Sequence, residues 1–192
     1  MYRVKKFQNI LIIILMTMSS VSKVSATTQE RDLIELEIKN GSVIIELYSN
    51  KAPKHVQRIK DLCEERFYDG LKFHRVIENF MVQAGDPNGN GTGGSTKSNL
   101  SSEFNDTEHR RGVMSMARSQ DPDSANSQFF IMLEDGLYLD GQYTAFGRVI
   151  KGMEFIDMIQ KGSPSDNGLV LNPDKIIKMR AVVINEGIMV NS

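Results

Sequence analysis

The stretch LIELEIKNGSVIIELY, residues 33 to 48, alternates apolar and polar side chains at the two-residue period of a β-strand, and it limits the possible folds more than any other part of the chain. Ile34, Leu36 and Ile38 share one face and Glu35 and Glu37 the other, and after Asn40-Gly41 the pattern resumes with Val43, Ile45 and Leu47. That predicts an antiparallel hairpin with a type I′ turn at Asn40-Gly41 and one face in a core. Six later segments, LKFHRVI, FMVQAGD, GVMSMAR, SQFFIML, YTAFGRVI and IIKMRAVVI, are short, rich in apolar or β-branched residues and separated by Gly, Asp, Asn and Pro. Two stretches change to helical spacing. APKHVQRIKDLCEERF carries Pro53 for a first turn and then Val56, Ile59 and Cys63, and GMEFIDMIQK puts Met153, Ile156 and Ile159 on one side. Short strands with two separated helices predict an antiparallel sheet closed on itself with helices over its open ends. GSPSDNGLVLNPD is expected to be a long surface loop.

Composition excludes several classes of function. The 192 residues suit one domain with a substantial core, and 23 basic against 24 acidic residues leave no basic face to argue for nucleic acid. The single cysteine, Cys63, is expected to act as a buried hydrophobe on its helix, since a redox or metal role wants a partner. His55, His74 and His109 have no ligand spacing, so no metal or other cofactor is expected. At the start of the chain Arg3, Lys5 and Lys6 precede the apolar run ILIIILMTM, and SSVSKVSA ends with Val24 and Ala26 at cleavage-site positions. This predicts a secretory signal peptide over residues 1–26, cut after Ala26, with a single domain over residues 27–192. The apolar run is well short of the ~20 residues a spanning helix needs, so no stable membrane insertion is expected. The C-terminus GIMVNS carries no ER-retention signal, which points to a periplasmic or secreted location.

Strand parity locates a candidate surface. In FMVQAGD, Met81 and Gln83 share a face while Val82 points the other way. In NSQFFIML, Gln128 and Phe130 share a face, and Phe129, Ile131 and Leu133 form an opposite one that is purely apolar. The apolar faces are expected in the core, and the mixed ones outward. Two faces that each pair a Gln with a large apolar side chain, close to Arg75, suggest a peptide-binding groove. GNGTGG lacks the Lys and following helix of a phosphate loop and is expected to be a plain turn. His74 falls on the strand face opposite Arg75 and is expected to be buried and structural.

Taken together, these segments resemble those of a cyclophilin, a peptidyl-prolyl isomerase of the small bacterial exported type. The motifs that carry the resemblance are FHRVIENFMVQAGDP, GNGTGG, EF, GVMSMARS, NSQFFI, LDGQYTAFGRV and GMEFID, and it covers residues 33 to 184. The resemblance implies an eight-stranded closed antiparallel β-barrel with a helix capping each end. It implies Arg75 as the catalytic arginine, with Phe80 and Gln83 beside it in the catalytic group. It places a proline pocket at Phe80, Met81, Phe130 and Leu139, and peptide-backbone contacts at Gln83, Ala117, Arg118 and Gln128, with Gly91 bordering the groove. Tyr138 stands where the best-known members carry Trp, and Tyr143 where they carry His. Both are assigned to the substrate site, and the loss of Trp implies weak cyclosporin binding. Arg118 replaces an Asn whose family contact is largely backbone.

The expected function is acceleration of X-Pro bond rotation in exported proteins, assisting their folding, by a non-covalent mechanism. The expected partners are proline-containing segments of unfolded or folded clients, and the protein is expected to be a monomer. The alternative is a chaperone or adaptor that holds proline segments and turns them over only incidentally.

Overall fold

The computed structural model describes residues 31–184. The predicted signal peptide and its cleavage after Ala26 therefore lie outside the described residues. Eight strands form one antiparallel sheet: β1 (Arg31–Ile38), β2 (Gly41–Leu47), β3 (Arg75–Ile77), β4 (Met81–Ala84), β5 (Val113–Met116), β6 (Phe129–Met132), β7 (Ala145–Lys151) and β8 (Ile176–Ile184), in the order β3-β4-β6-β5-β7-β2-β1-β8. Helix α1 (Pro53–Glu64) packs on β8, and α2 (Met153–Asp157) packs on β2.

The hairpin forms, one residue out of the expected turn. Ile38 pairs with Gly41, so Lys39 and Asn40 make the turn rather than Asn40-Gly41. Gly41 instead opens β2 at φ +151°, where a Cβ would fall 2.5 Å from the Phe155 ring. The glycine is thus spent on close approach to α2 and not on a type I′ turn. The parity holds: Ile34, Leu36, Ile38, Val43, Ile45 and Leu47 are all buried.

The inner face of the curled sheet and the apolar faces of both helices make the main core. Val76, Val82, Ile131 and Met114 meet across β3, β4, β6 and β5, and Val56, Ile59, Leu62 and Cys63 reach in from α1, with Ile156 from α2. Burial pushes the Cys63 thiol up to about 12, as expected of a small hydrophobe with no nearby thiol.

The sheet is curled but not closed, which corrects the closed barrel expected from the sequence. Its two end strands, β3 and β8, do not pair with each other. The physical reason is β3 itself, which is only three residues long. The chain around it is held by irregular contacts: Phe73 N donates to Asp174 O (2.9 Å), Ile176 N to Leu71 O (2.9 Å) and Val76 N to Gly168 O (2.8 Å). Residues 162–169 lie instead along β3, through Val76 and Arg75.

Candidate functional site

Register builds the site as rows of side chains across the outer face. Arg75 on β3 pairs with Gln83 on β4, Gln83 with Phe130 on β6, and Phe130 with Ser115 on β5. Ile77, Met81 and Met132 form the next row. This face is not left open as the parity argument expected. Met81 and Phe130 are buried, at 1% and 5% exposure, because Leu139, Ala117 and Tyr143 fold over them into a second apolar cluster.

Polar contacts fix one end of the row. Arg75 Nη1 donates to Gln83 Oε1 (3.1 Å), while Nε and Nη2 donate to the backbone O and Oδ1 of Asn167 (3.0 Å each). Gln83 Nε2 donates on to Gln128 Oε1 (2.9 Å), and Gln128 Nε2 to the carbonyls of Gly91 (3.1 Å) and Gly93 (2.8 Å). The glycine loop is in turn folded around Asp86, whose carboxylate accepts from the N–H groups of Asn88, Asn90 and Gly91. Burial alone would raise the Asp86 pKa, but those three donors outweigh it and hold the group below the usual carboxylate range. Desolvation lowers the Arg75 pKa from its ordinary value, yet a guanidinium remains charged at neutral pH.

Aromatic contacts shape the apolar end. The Tyr143 ring meets Phe130 edge-on at 5.7 Å and lies 4.5 Å beneath the Arg118 guanidinium. Arg118 Nε and Nη2 both donate to Gln142 O, tying the segment after β5 to the one before β7. Behind Phe130, the buried His109 ring stacks parallel to it at 6.2 Å. His109 is held by Asp140 at Nδ1 (2.8 Å) and Ser115 at Nε2 (3.0 Å).

The resulting cavity, about 650 Å³, has Arg75, Phe80, Met81, Gln83, Gly91, Ala117, Arg118, Phe130, Leu139 and Tyr143 among its lining. A fixed cation with spare N–H donors stands at one side and an apolar socket at the other. Such an arrangement suits an apolar ring carrying an amide, and it offers no activated nucleophile on its floor.

The cyclophilin type peptidyl-prolyl cis-trans isomerase/CLD family model matches residues 33–181. The chain belongs to the cyclophilin family. It is 49% identical over 174 residues, 85% of this chain and 88% of the other, to a probable peptidyl-prolyl cis-trans isomerase of Brucella suis. It is 38% identical to the peptidyl-prolyl cis-trans isomerase of Acinetobacter baylyi, covering 84% and 92% of the two chains. Among solved structures, a Cryptosporidium parvum cyclophilin determined in the presence of the dipeptide Ala-Pro superposes with TM-score 0.72 at 26% identity, covering 78% and 98%. The Hirschia baltica cyclophilin AquaCyp293 gives 0.68 at 25%, covering 83% and 84%. This cyclophilin is accordingly a peptidyl-prolyl cis-trans isomerase, an enzyme.

Ten of the twelve residues assigned from the sequence line the one cavity. Gln128 lies in an adjoining depression of about 450 Å³ that shares Gln83, Gly91, Ala117 and Arg118 with the first. Tyr138 lines neither; it is 66% exposed, with its ring stacked on Phe80 at 6.0 Å. The Ala117 N–H is already bonded to Gln128 O (2.9 Å) and is not free for a peptide. His74 is buried as expected. Sequence reasoning missed Asn90, Asp166, Asn167 and Leu169, which also line the cavity. The only local signal for the last three was Asn167-Gly168, a pair suited to left-handed backbone.

Proposed function

We propose that the cavity binds a proline-containing segment with the prolyl ring against Phe80, Met81, Phe130 and Leu139, and that Arg75 stabilises the twisted prolyl amide. Rotation about an X-Pro bond breaks amide resonance against a barrier of roughly 18 to 20 kcal/mol. No covalent bond changes, so a nucleophile or acid/base pair is not needed. In the twisted state the prolyl nitrogen regains a lone pair that a guanidinium can hydrogen-bond, an interaction weak in the planar amide. Arg75 therefore stabilises the transition state more than the ground state. The apolar socket excludes water that would screen the charge, and Gln83, Gln128 and the backbone near Arg118 steady the flanking peptide. An acceleration of ~10⁵-fold asks about 7 kcal/mol of this ensemble.

The observation that carries the reading is the fixed guanidinium of Arg75, bonded at 3.0 to 3.1 Å to Asn167 and Gln83, beside that socket. The dipeptide used with the Cryptosporidium parvum relative supports the choice of ligand. The test is the cis/trans exchange rate of an Ala-Pro peptide by NMR, with wild type beside Arg75→Ala. Wild type should accelerate exchange, and the folded variant should lose at least a hundredfold, about 2.7 kcal/mol. A wild type that binds the peptide without accelerating exchange would make the groove a recognition site for an adaptor or chaperone.

The clients we propose are exported proteins with proline-limited folding. The basic, apolar and small-residue pattern of residues 1–26 supports export to the periplasm or beyond, and a mature N-terminus at Thr27 by mass spectrometry checks it. With Tyr138 on the rim in place of Trp, cyclosporin should inhibit only weakly; a nanomolar inhibition constant would contradict this.

A further inference from the structure

We infer that Asn167 is a positioning residue for the isomerisation, acting through Arg75; this deepens the proposed role of that arginine and rests on it. An arginine side chain carries about 2 kcal/mol of rotamer entropy, and an unrestrained guanidinium at a groove would spread over many orientations. Here the fork is gripped by two other residues that line the same cavity. Asn167 takes Nε with its backbone carbonyl and Nη2 with Oδ1, and Gln83 takes Nη1. A guanidinium has five N–H donors, so three are used and one remains on each terminal nitrogen. Asn167 takes two of these three donors and, with Gln83, fixes the plane of the guanidinium and which hydrogens stay available to substrate.

The backbone is arranged to deliver that grip. Asn167 (φ 49°) and Gly168 (φ 80°) are both left-handed, a conformation Asn and Gly tolerate and most residues do not. Gly168 N donates to Ser163 O (2.8 Å), closing the turn on itself. Gly168 O then accepts from Val76 N (2.8 Å), and Gly162 N donates to Val76 O (2.9 Å), so the turn is clipped to the residue next to Arg75. Contact is too close for a side chain at either glycine: a Cβ on Gly168 would sit 2.5 Å from Ile77 Cγ1, and one on Gly162 1.9 Å from Gly168 O. Leu169 completes the docking as a bridge partner of Arg75. The segment docked along β3 is thus built to a tolerance that an ordinary surface loop does not need.

The test uses Asn167→Gly in the full protein, a change that suits the left-handed backbone, keeps the carbonyl contact to Nε and removes the side-chain amide whose Oδ1 accepts from Nη2. Peptide exchange by NMR separates kcat from peptide Kd, and the Arg75 Nη signals report restraint of the guanidinium. With folding intact, the Nη signals should merge through free rotation and kcat should fall at least about fivefold while Kd stays within about twofold. On an Arg75→Ala background the same change should add nothing. Asn167→Asp, which keeps an acceptor at the same reach, should keep the Nη signals resolved even if the glycine variant proves unstable. A smaller fall in kcat, a loss expressed in Kd, an additional loss without Arg75, or averaged Nη signals in the aspartate variant would overturn the inference. Full activity in Arg75→Ala would instead overturn the reading of the site beneath it.

Discussion

Phe130 shows how one side chain takes two environments. It stands on the outer face of β6, yet Tyr143 covers its edge and His109 supports its back, so it is a wall with little freedom to move. Arg75 is fixed in the same way by polar contacts where Phe130 is fixed by packing. Burial of a large apolar side chain is worth about 1.5 to 3 kcal/mol, so Phe130→Ala should weaken peptide binding about tenfold or more and lower the rate as well. Titration of the Ala-Pro peptide against both proteins measures it; a variant with unchanged affinity would remove Phe130 from the pocket.

At the scale of elements, α1 depends on a residue far away in sequence. Its N-cap, Ala52, supplies no side-chain acceptor. Glu103 does so instead, accepting from the N–H groups of Lys54 (3.1 Å) and His55 (3.0 Å) and from His55 Nδ1 (2.7 Å). It satisfies the open helix end and places a negative charge there. Burial pushes the His55 pKa down despite the carboxylate, so a neutral imidazole donating from Nδ1 fits both groups. Glu103→Ala should cost about 1 to 3 kcal/mol of stability by uncapping α1 and stranding a buried imidazole, read from urea unfolding. Isomerase activity at 25 °C should stay near wild type, because α1 supports the core side of the sheet and not the groove.

Over the whole molecule these buried groups set a pH dependence. Desolvation lowers the pKa of His55 and His74, so the unfolded chain takes up protons near pH 6.5 that the folded one refuses. Their contribution is fully present above about pH 6.5 and is lost as pH falls below it. For Asp86 and Glu103 burial opposes ionisation, but N–H donors outweigh it and leave both pKa values lowered. Their contribution is present above the unfolded carboxylate values near pH 4 and falls away below them. Melting temperature should therefore be level near neutrality, decline below about pH 6.5 and drop more steeply below about pH 4. A melting temperature that rises between pH 7 and pH 5 would contradict the direction given for the histidines.

Much of this was legible in the residues because it rests on short-range periodicity. Alternation around Ile34 to Ile38 and Val43 to Leu47, the Pro53 start of α1, and the shared parity of Met81 with Gln83 and of Gln128 with Phe130 follow from strand and helix geometry alone. Most of the groove followed from the motifs around Arg75, Phe130 and Leu139. The turn at Lys39-Asn40, the covering of Met81 and Phe130, the Glu103 cap, the open edge beside β3 and the Asn167 grip on Arg75 did not. Most of these join residues far apart in sequence, and even the local turn is set by the approach of Gly41 to Phe155, through contacts no local pattern encodes. Sequence periodicity tells a side chain which face of its own strand or helix it occupies; only the folded chain decides what is brought against that face.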